Sequence, residues 1–512
     1  MFCGGDYQSA HVLKESLRSF YDLSGLAANA HKSNLYLSGV HSEEAALIIN
    51  CFGFPMGTTP FKYLGIPLIT TKLCLGDCSP LVDRVVSRIQ SWENKMLSYA
   101  GRLQLIKSVL CSLQVYWASH LFLPKSVLIL IEQKLRCFLW SGRCTGHYTP
   151  KVAWDVVCSP TNEGGLGVKS LLIWNKALMA RHIWILITDD SSLWSSWIKV
   201  NFLRGNSFWT VSTPQICSWN WRKLLKIRDL VRPFIKHVIG DGESTSFWHD
   251  HWHSYGPLSR LGSSAISTSG IPLNALVSSI VVGESWYWPL PISSAIWDVV
   301  NNLDGLVPNS SCGDSFVWFA SANGKFSTAS AMDHLRIHNP IVCWAKLVWF
   351  KNNIPRASFI LWLAVHGKLA TLDRVSVYSP QINLLCPLCG LIPESISHIF
   401  FACSFSLHIW KNVLLSCGVH WMNPPWPLFI DWASSRWGGK SFSSIIKKLG
   451  LSVTVYLIWI ERNNRIFRGV KCAPSVVLKN ILSMIRCRLL SIKYKPSSTN
   501  NSIAQKWSLA NA

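Results

Sequence analysis

Four residues constrain this chain more than any other feature: Cys386, Cys389, His398 and Cys403. They fall within 18 residues in the spacing C-x2-C-x8-H-x4-C. Zinc takes four sulfur or nitrogen ligands in a tetrahedron, and paired cysteines two residues apart supply two of them from one tight turn. Gly390 directly follows the second cysteine, where such a turn needs a residue free to adopt positive φ. Four protein ligands leave no coordination position open, so the expected cofactor is a structural Zn²⁺ that contributes to folding. His408 is a weaker alternative ligand, placed five residues past Cys403 on the helix expected to follow.

Over 512 residues, 49% are apolar, enough to bury several cores. Charged residues make up only 15%, against a usual ~25%. Within that small set, 49 are basic and 26 acidic, a formal net charge of +23. Such an imbalance predicts a polyanionic partner, most commonly nucleic acid. The 27 tryptophans include some beside cations, as in Trp219-Asn-Trp221-Arg222-Lys223, where rings stack bases and cations hold phosphates. Most recur at helical spacing among Leu and Ile and are expected in cores. The 17 cysteines are an odd number, mostly scattered singly. No basic stretch and apolar run follow Met1, so a reducing, intracellular setting without a disulfide framework is expected. The charge favours the nucleus over the cytoplasm, although no import-type basic run stands out. The apolar run from Leu449 to Ile460 is too short to span a bilayer, so no membrane is expected.

Periodicity predicts a mainly α fold. Asp6 caps a first helix carrying Leu13, Leu17 and Phe20 on one face, ended by Ser24-Gly25. A short strand is expected around 34–37, then loop and turn from Cys51 to Leu68 with Gly53, Pro55, Gly57 and Pro60. Leu81, Val85, Ile89, Trp92 and Met96 mark one amphipathic helix. A second is expected over 102–117 and a third over 125–140, the latter with Leu128, Ile131, Leu135 and Leu139 in phase. From 141 to 313 short helices such as 172–187 alternate with loops. A compact unit then opens with a turn at Asn323-Gly324 and a strand into Phe326. Helices are expected over 407–415 and 445–466, and a disordered basic tail after Tyr494.

Several blocks resemble the C-terminal part of a plant non-LTR (LINE-type) retrotransposon reverse transcriptase. Ser24-Gly-Leu26, Asn29 and Lys32-Ser33 resemble the segment downstream of the polymerase aspartates. Tyr63-Leu-Gly-Ile-Pro-Leu68 resembles the element that grips the primer end. Leu97-Ser-Tyr-Ala-Gly-Arg102 with Leu105-Ile106 resembles the thumb, and Glu163-Gly-Gly-Leu-Gly167 with Trp174-Asn175 the connector. Ile354-Pro355, Ser358-Phe359, Trp362-Leu-Ala364, Thr371 and Asp373-Arg374 precede the cysteines as they do in the family's reverse-transcriptase zinc-binding domain. The resemblance implies a helical, multidomain chain: a residual palm and primer-grip segment (1–70), a helical thumb-like region (71–145), a connector (146–315), a small zinc-binding helical domain with a few short strands (318–415) and a C-terminal helical region with a basic tail (416–512).

The family's aromatic-Ala-Asp-Asp motif, whose aspartates hold two metal ions, would lie just upstream of Met1. The resemblance therefore implies a truncated, reverse-transcriptase-derived protein without catalytic residues of its own, zinc-binding and able to bind RNA or an RNA–DNA duplex. Lys32, Tyr63, Gly65, Arg102 and Lys107 are the candidate nucleic-acid contacts. Two other readings stay open: part of an active RNA-directed DNA polymerase whose palm lies upstream, or a zinc interaction module with no nucleic-acid role. His249-Asp-His251-Trp-His253 is not expected to hold a second metal, because no carboxylate or cysteine partner stands nearby. Asp241, Glu243 and Asp250 are not expected to be nuclease carboxylates, because a ribonuclease H site needs several acids on a β-sheet core and these lie in a loop-like stretch.

Overall fold

A computed structural model describes residues 1–57, 61–69, 71–189, 191–282, 285–289, 294–303, 311–420 and 424–509. Pro60, expected in the N-terminal turn, and parts of the connector lie outside the described residues. The chain is mainly helical, as expected. Its described strands form only three two-stranded antiparallel pairs. It divides into two compact units, one of residues 1–80 with 213–225 and one of residues 81–212 with 226–512.

In the first unit the helix Tyr7–Ser24 is capped by Asp6, whose carboxylate accepts from the Ser9 N–H at 2.8 Å. Its expected apolar face is poorly covered: Phe20 is 54% exposed and Ala10 is the helix's one buried residue. The strand expected over 34–37 shrinks to a single bridge between Leu35 and Met56. The Tyr63–Leu68 block is more ordered than the expected loop. Strands Phe61–Tyr63 and Ile66–Leu68 pair through a two-residue turn at Leu64 and Gly65, both at positive φ. Right-handed strand twist favours such turns.

Helices Ser79–Glu93 and Lys125–Ser141 follow the predicted periodicity, burying Leu81, Val85 and Ile89 in the first and Leu128, Ile131, Leu135 and Leu139 in the second. Met96 lies beyond its helix and is fully exposed. The helix expected over 102–117 is not continuous. Tyr99–Leu105 runs into a π turn, Ile106–Leu110, and then into short segments ending at His120. The wider turn keeps both Ile106 and Leu110 fully buried. The strand expected into Phe326 ends earlier, as Ser315–Trp318, paired with Ile235–Val238.

The second unit is organised around the helix Phe442–Phe467. It packs against Pro355–Val365, Ser404–Ser416 and Pro474–Leu489, and it buries Leu449, Leu451, Val453, Val455 and Ile458. Gly450 sits where a β-carbon would come within 2.8 Å of the Cys417 sulfur, so only glycine permits that helix approach. By length and composition this helix could cross a bilayer, but here its middle is enclosed by its neighbours. The disorder expected after Tyr494 is incorrect. Tyr494 stacks on Phe442 at 4.6 Å, Ser497 caps a helix Ser498–Lys506, and Ala504, Trp507 and Leu509 are buried. These apolar residues give the tail a face to bury, which its polar average conceals.

Candidate metal centre

The loop that carries Cys386 and Cys389 is a short backbone hairpin. The Cys386 N–H donates to the Ile392 carbonyl at 2.8 Å and the Glu394 N–H to the Leu384 carbonyl at 2.8 Å. The Gly390 N–H closes the turn on the Cys386 carbonyl at 2.7 Å, and Gly390 has φ of +70°. That conformation disfavours any side chain with a β-carbon. His398 follows on a π turn, His398–Ala402, whose last bond runs from the Cys403 N–H to the His398 carbonyl at 2.8 Å. Cys403 then caps the helix Ser404–Ser416.

This path brings the four donor atoms together within 4.8 Å of one another. Cys386 Sγ lies 4.0 Å from Cys403 Sγ, and Cys389 Sγ lies 3.3 Å from His398 Nε2. Tetrahedral zinc with bonds of about 2.0–2.3 Å needs its donors roughly 3.4–3.8 Å apart, so the set fits. Three thiols and one imidazole match zinc in softness as well as geometry. Cys386, His398 and Cys403 are buried. The hydrogen bond to Cys403, reinforced by burial, pushes the Cys386 thiol up. The same bond lowers the Cys403 thiol, aided by the Ser406 and Phe405 N–H groups at the helix start. Burial lowers the His398 imidazole, which favours its neutral, metal-ligating form. No other group of three or more such ligands is found among the described residues; His408, on the helix Ser404–Ser416, stands outside the cluster.

A layer of charged residues behind the cysteines holds the hairpin, and sequence reasoning missed it. Glu394 is almost fully buried. It accepts two bonds from Arg462, at 2.8 and 2.7 Å, and one from the Leu372 N–H at 2.6 Å. One turn further on, Arg465 donates to the carbonyls of Pro387 and Leu388, between the two hairpin cysteines, at 3.2 and 2.9 Å. Glu461 holds Arg465 in place at 2.8 Å, and Arg465 lies 4.5 Å over the Phe405 ring. The signal was present in the sequence: Glu461, Arg462 and Arg465 interrupt an apolar helix, where charge persists only if it is paired.

The Glu163–Gly167 block is fastened to this domain. Glu163 accepts two bonds from Arg336, at 2.7 and 2.6 Å, and one from the Asn339 N–H at 3.0 Å. The Gly164 carbonyl accepts from Trp362 Nε1 and His366 Nε2, both at 2.8 Å. At Gly165 a β-carbon would overlap the Ser159 carbonyl oxygen at 1.9 Å. Asn175 is a second buried fastener, accepting from the Leu123 N–H and donating to the Ala118 and Leu121 carbonyls.

The other candidate residues have identifiable places. Lys32 is exposed at the end of a 3-10 turn, and Tyr63 and Gly65 form the hairpin of the first unit. Lys107 is exposed on the π turn. Arg102 donates to the carbonyls of Leu139 and Trp140, at 3.3 and 3.5 Å, and so caps the end of Lys125–Ser141. Asp250 accepts from Trp209 Nε1 and the Ser246 N–H. Asp314 gathers the neighbouring turn, accepting from the N–H groups of Gly240, Gly242 and Ser244 and from the hydroxyls of Ser244 and Thr245. Burial would raise the Asp314 carboxyl, but these donors hold it below the usual range.

Residues 326–410, which include all four donors, match the family described as zinc-binding in reverse transcriptase. The site and its helical setting thus define a reverse-transcriptase-type zinc-binding domain. The chain that carries it is related to retrotransposon reverse transcriptases, and its relatives here are plant proteins. It is 29% identical to a "Putative ribonuclease H protein" of Arabidopsis thaliana over 373 residues, 68% of this chain and 58% of that relative. It is also 29% identical over 142 residues to an uncharacterized mitochondrial protein of Arabidopsis thaliana, 28% of this chain and 92% of that one. The chain therefore spans less than two thirds of the first relative's length.

Proposed function

We propose that these 512 residues are the nucleic-acid-binding, non-polymerising part of a LINE-type reverse transcriptase, organised around a structural Zn²⁺ at Cys386, Cys389, His398 and Cys403. The observation that carries this reading is the four-donor cluster within a domain of the reverse-transcriptase type. The net charge of +23 supports RNA or an RNA–DNA duplex as the partner, with the nucleus as the compartment. Lys32, Tyr63, Gly65 and Lys107 are accessible enough to touch it. Arg102 contributes by holding the end of a helix.

The residues present carry no aromatic-Ala-Asp-Asp run, and no polymerisation step is assigned to them. Zinc, when bound, fixes the hairpin and supplies folding energy; the chain's own part is to present the thiols and imidazole and to shield them. Asp250 and Asp314 are occupied in holding turns, which gives no support to transferring the relative's ribonuclease H name to this region.

The test uses the full chain, because the domain is fastened to both the connector and the C-terminal helix. Purified protein is expected to carry one zinc, lost in Cys386→Ser together with cooperative unfolding of the domain. It is expected to bind an RNA–DNA duplex with strongly salt-dependent affinity and to give no primer extension with Mg²⁺ or Mn²⁺. Zinc without nucleic-acid binding at low salt would favour an interaction module. Primer extension would overturn the non-polymerising role.

A further inference from the structure

A second feature of the larger unit shares no residue with the four-donor cluster. A cleft of about 340 Å³ opens where the helices Tyr99–Leu105, Pro355–Val365 and Phe442–Phe467 meet. Its volume is at the small end of ligand pockets, roughly 300–1,000 Å³, so it has room for one small unit and none for a duplex. Its floor is aromatic: Tyr99 lies flat on Phe359 at 5.4 Å and 13°, and Trp459 is buried beside them. Tyr456 lines the cleft and is only partly covered.

The charges around it have one sign. Among the described residues no acidic side chain lines the cleft. Arg102 is committed to the Leu139 and Trp140 carbonyls and rests 5.4 Å over the Tyr99 ring, steadying it. Arg356 is exposed, lies 5.6 Å over the Tyr456 ring and forms no ion pair among the described residues. Asn463 accepts from Arg462 through its amide oxygen, which leaves its NH₂ group for a ligand.

Resting on the nucleic-acid reading above, we propose that this cleft seats one nucleotide of a single-stranded nucleic acid, its base against Tyr456 and its phosphate on Arg356. Aromatic faces accept any base, and a free guanidinium beside them holds the phosphate in forked geometry. Asn463 offers its amide to the base edge. The site joins the thumb-like helix to the metal-bearing domain, so a strand held there is registered against both.

The experiment compares the full chain with Tyr456→Leu, Tyr456→Phe and Arg356→Gln, using a labelled single-stranded RNA of about 12 nucleotides and a blunt RNA–DNA duplex. Base stacking contributes about 1–3 kcal/mol, so Tyr456→Leu is expected to weaken single-strand binding about tenfold, with duplex binding and zinc content unchanged. Tyr456→Phe is expected to bind like the parent. Arg356→Gln is expected to lower the salt slope by about one. Photo-crosslinking of 4-thiouridine RNA to the unaltered chain is expected to label the peptide containing Tyr456, a readout independent of variant folding. A parent that binds single strands while Tyr456→Leu and Arg356→Gln match it and no crosslink maps to the cleft overturns this proposal alone. A parent that binds no nucleic acid overturns it together with the reading beneath it.

Discussion

The guanidinium of Arg465 donates to the backbone carbonyl of Leu388 at 2.9 Å, joining the organising helix of the larger unit to the loop between Cys386 and Cys389. Its second acceptor is the neighbouring Pro387 carbonyl, and Glu461 fixes its orientation. Metal affinity is therefore expected to depend on a residue more than 60 positions from Cys403 and outside the matched domain. Groups that orient metal ligands typically alter metal affinity about 10–100-fold. Arg465→Ala is expected to weaken zinc retention at least about tenfold in competition with a chromophoric chelator, with Arg465→Lys intermediate. Unchanged retention in both would show that the hairpin holds its shape without the clamp.

The Glu394–Arg462 pair is fully enclosed, with side-chain exposures of 0% and 3%. Removing one member strands the other charge in the core, at a cost of about 3–5 kcal/mol. Arg462→Met is expected to destabilise the larger unit by that amount in urea unfolding. Because Glu394 also receives the Leu372 N–H, replacing both partners by methionine is expected to recover only part of the loss. A neutral single variant would mean that the remaining carboxylate reaches water.

Glu163 gives the connector interlock a defined acid sensitivity. The bonds from Arg336, outweighing burial, hold its carboxyl below the ordinary value of about 4.3. A depressed carboxylate contributes stability that is complete above the unfolded value and is lost as pH falls through the folded one. Its contribution to stability is therefore expected to be lost only as pH falls below the ordinary carboxylate range, and Glu163→Gln is expected to lower stability at pH 7 and flatten that part of the profile. Thermal midpoints of the two proteins between pH 3 and 7 measure this; parallel profiles would remove Glu163 from the account.

The C-terminal segment is expected to contribute to stability. Trp507 is 7% exposed, and the adjacent Lys506 donates to the Leu415 carbonyl at 2.9 Å. Trp507→Ala is expected to cost about 3 kcal/mol in denaturant unfolding, the usual loss for deleting a buried large aromatic. A disordered tail would give no change.

Local chemistry made much of this protein legible in its sequence. The spacing of Cys386, Cys389, His398 and Cys403 specified the donor set, and Gly390 the turn, because one short segment contains both the ligands and the φ they require. The faces of Ser79–Glu93 and Lys125–Ser141 were legible because each repeats every three to four residues. The tertiary structure alone decided which distant groups meet. Arg465 on the Leu388 carbonyl, Arg462 on Glu394, Arg336 on Glu163 and Tyr99 on Phe359 are separated by tens to hundreds of residues. No periodicity records such pairs, because they depend on how the helices cross. The broken helix after Tyr99 and the folded tail have the same origin: burial of Ile106 and Leu110, and of Ala504 and Trp507, outweighed what local pattern and average polarity favoured.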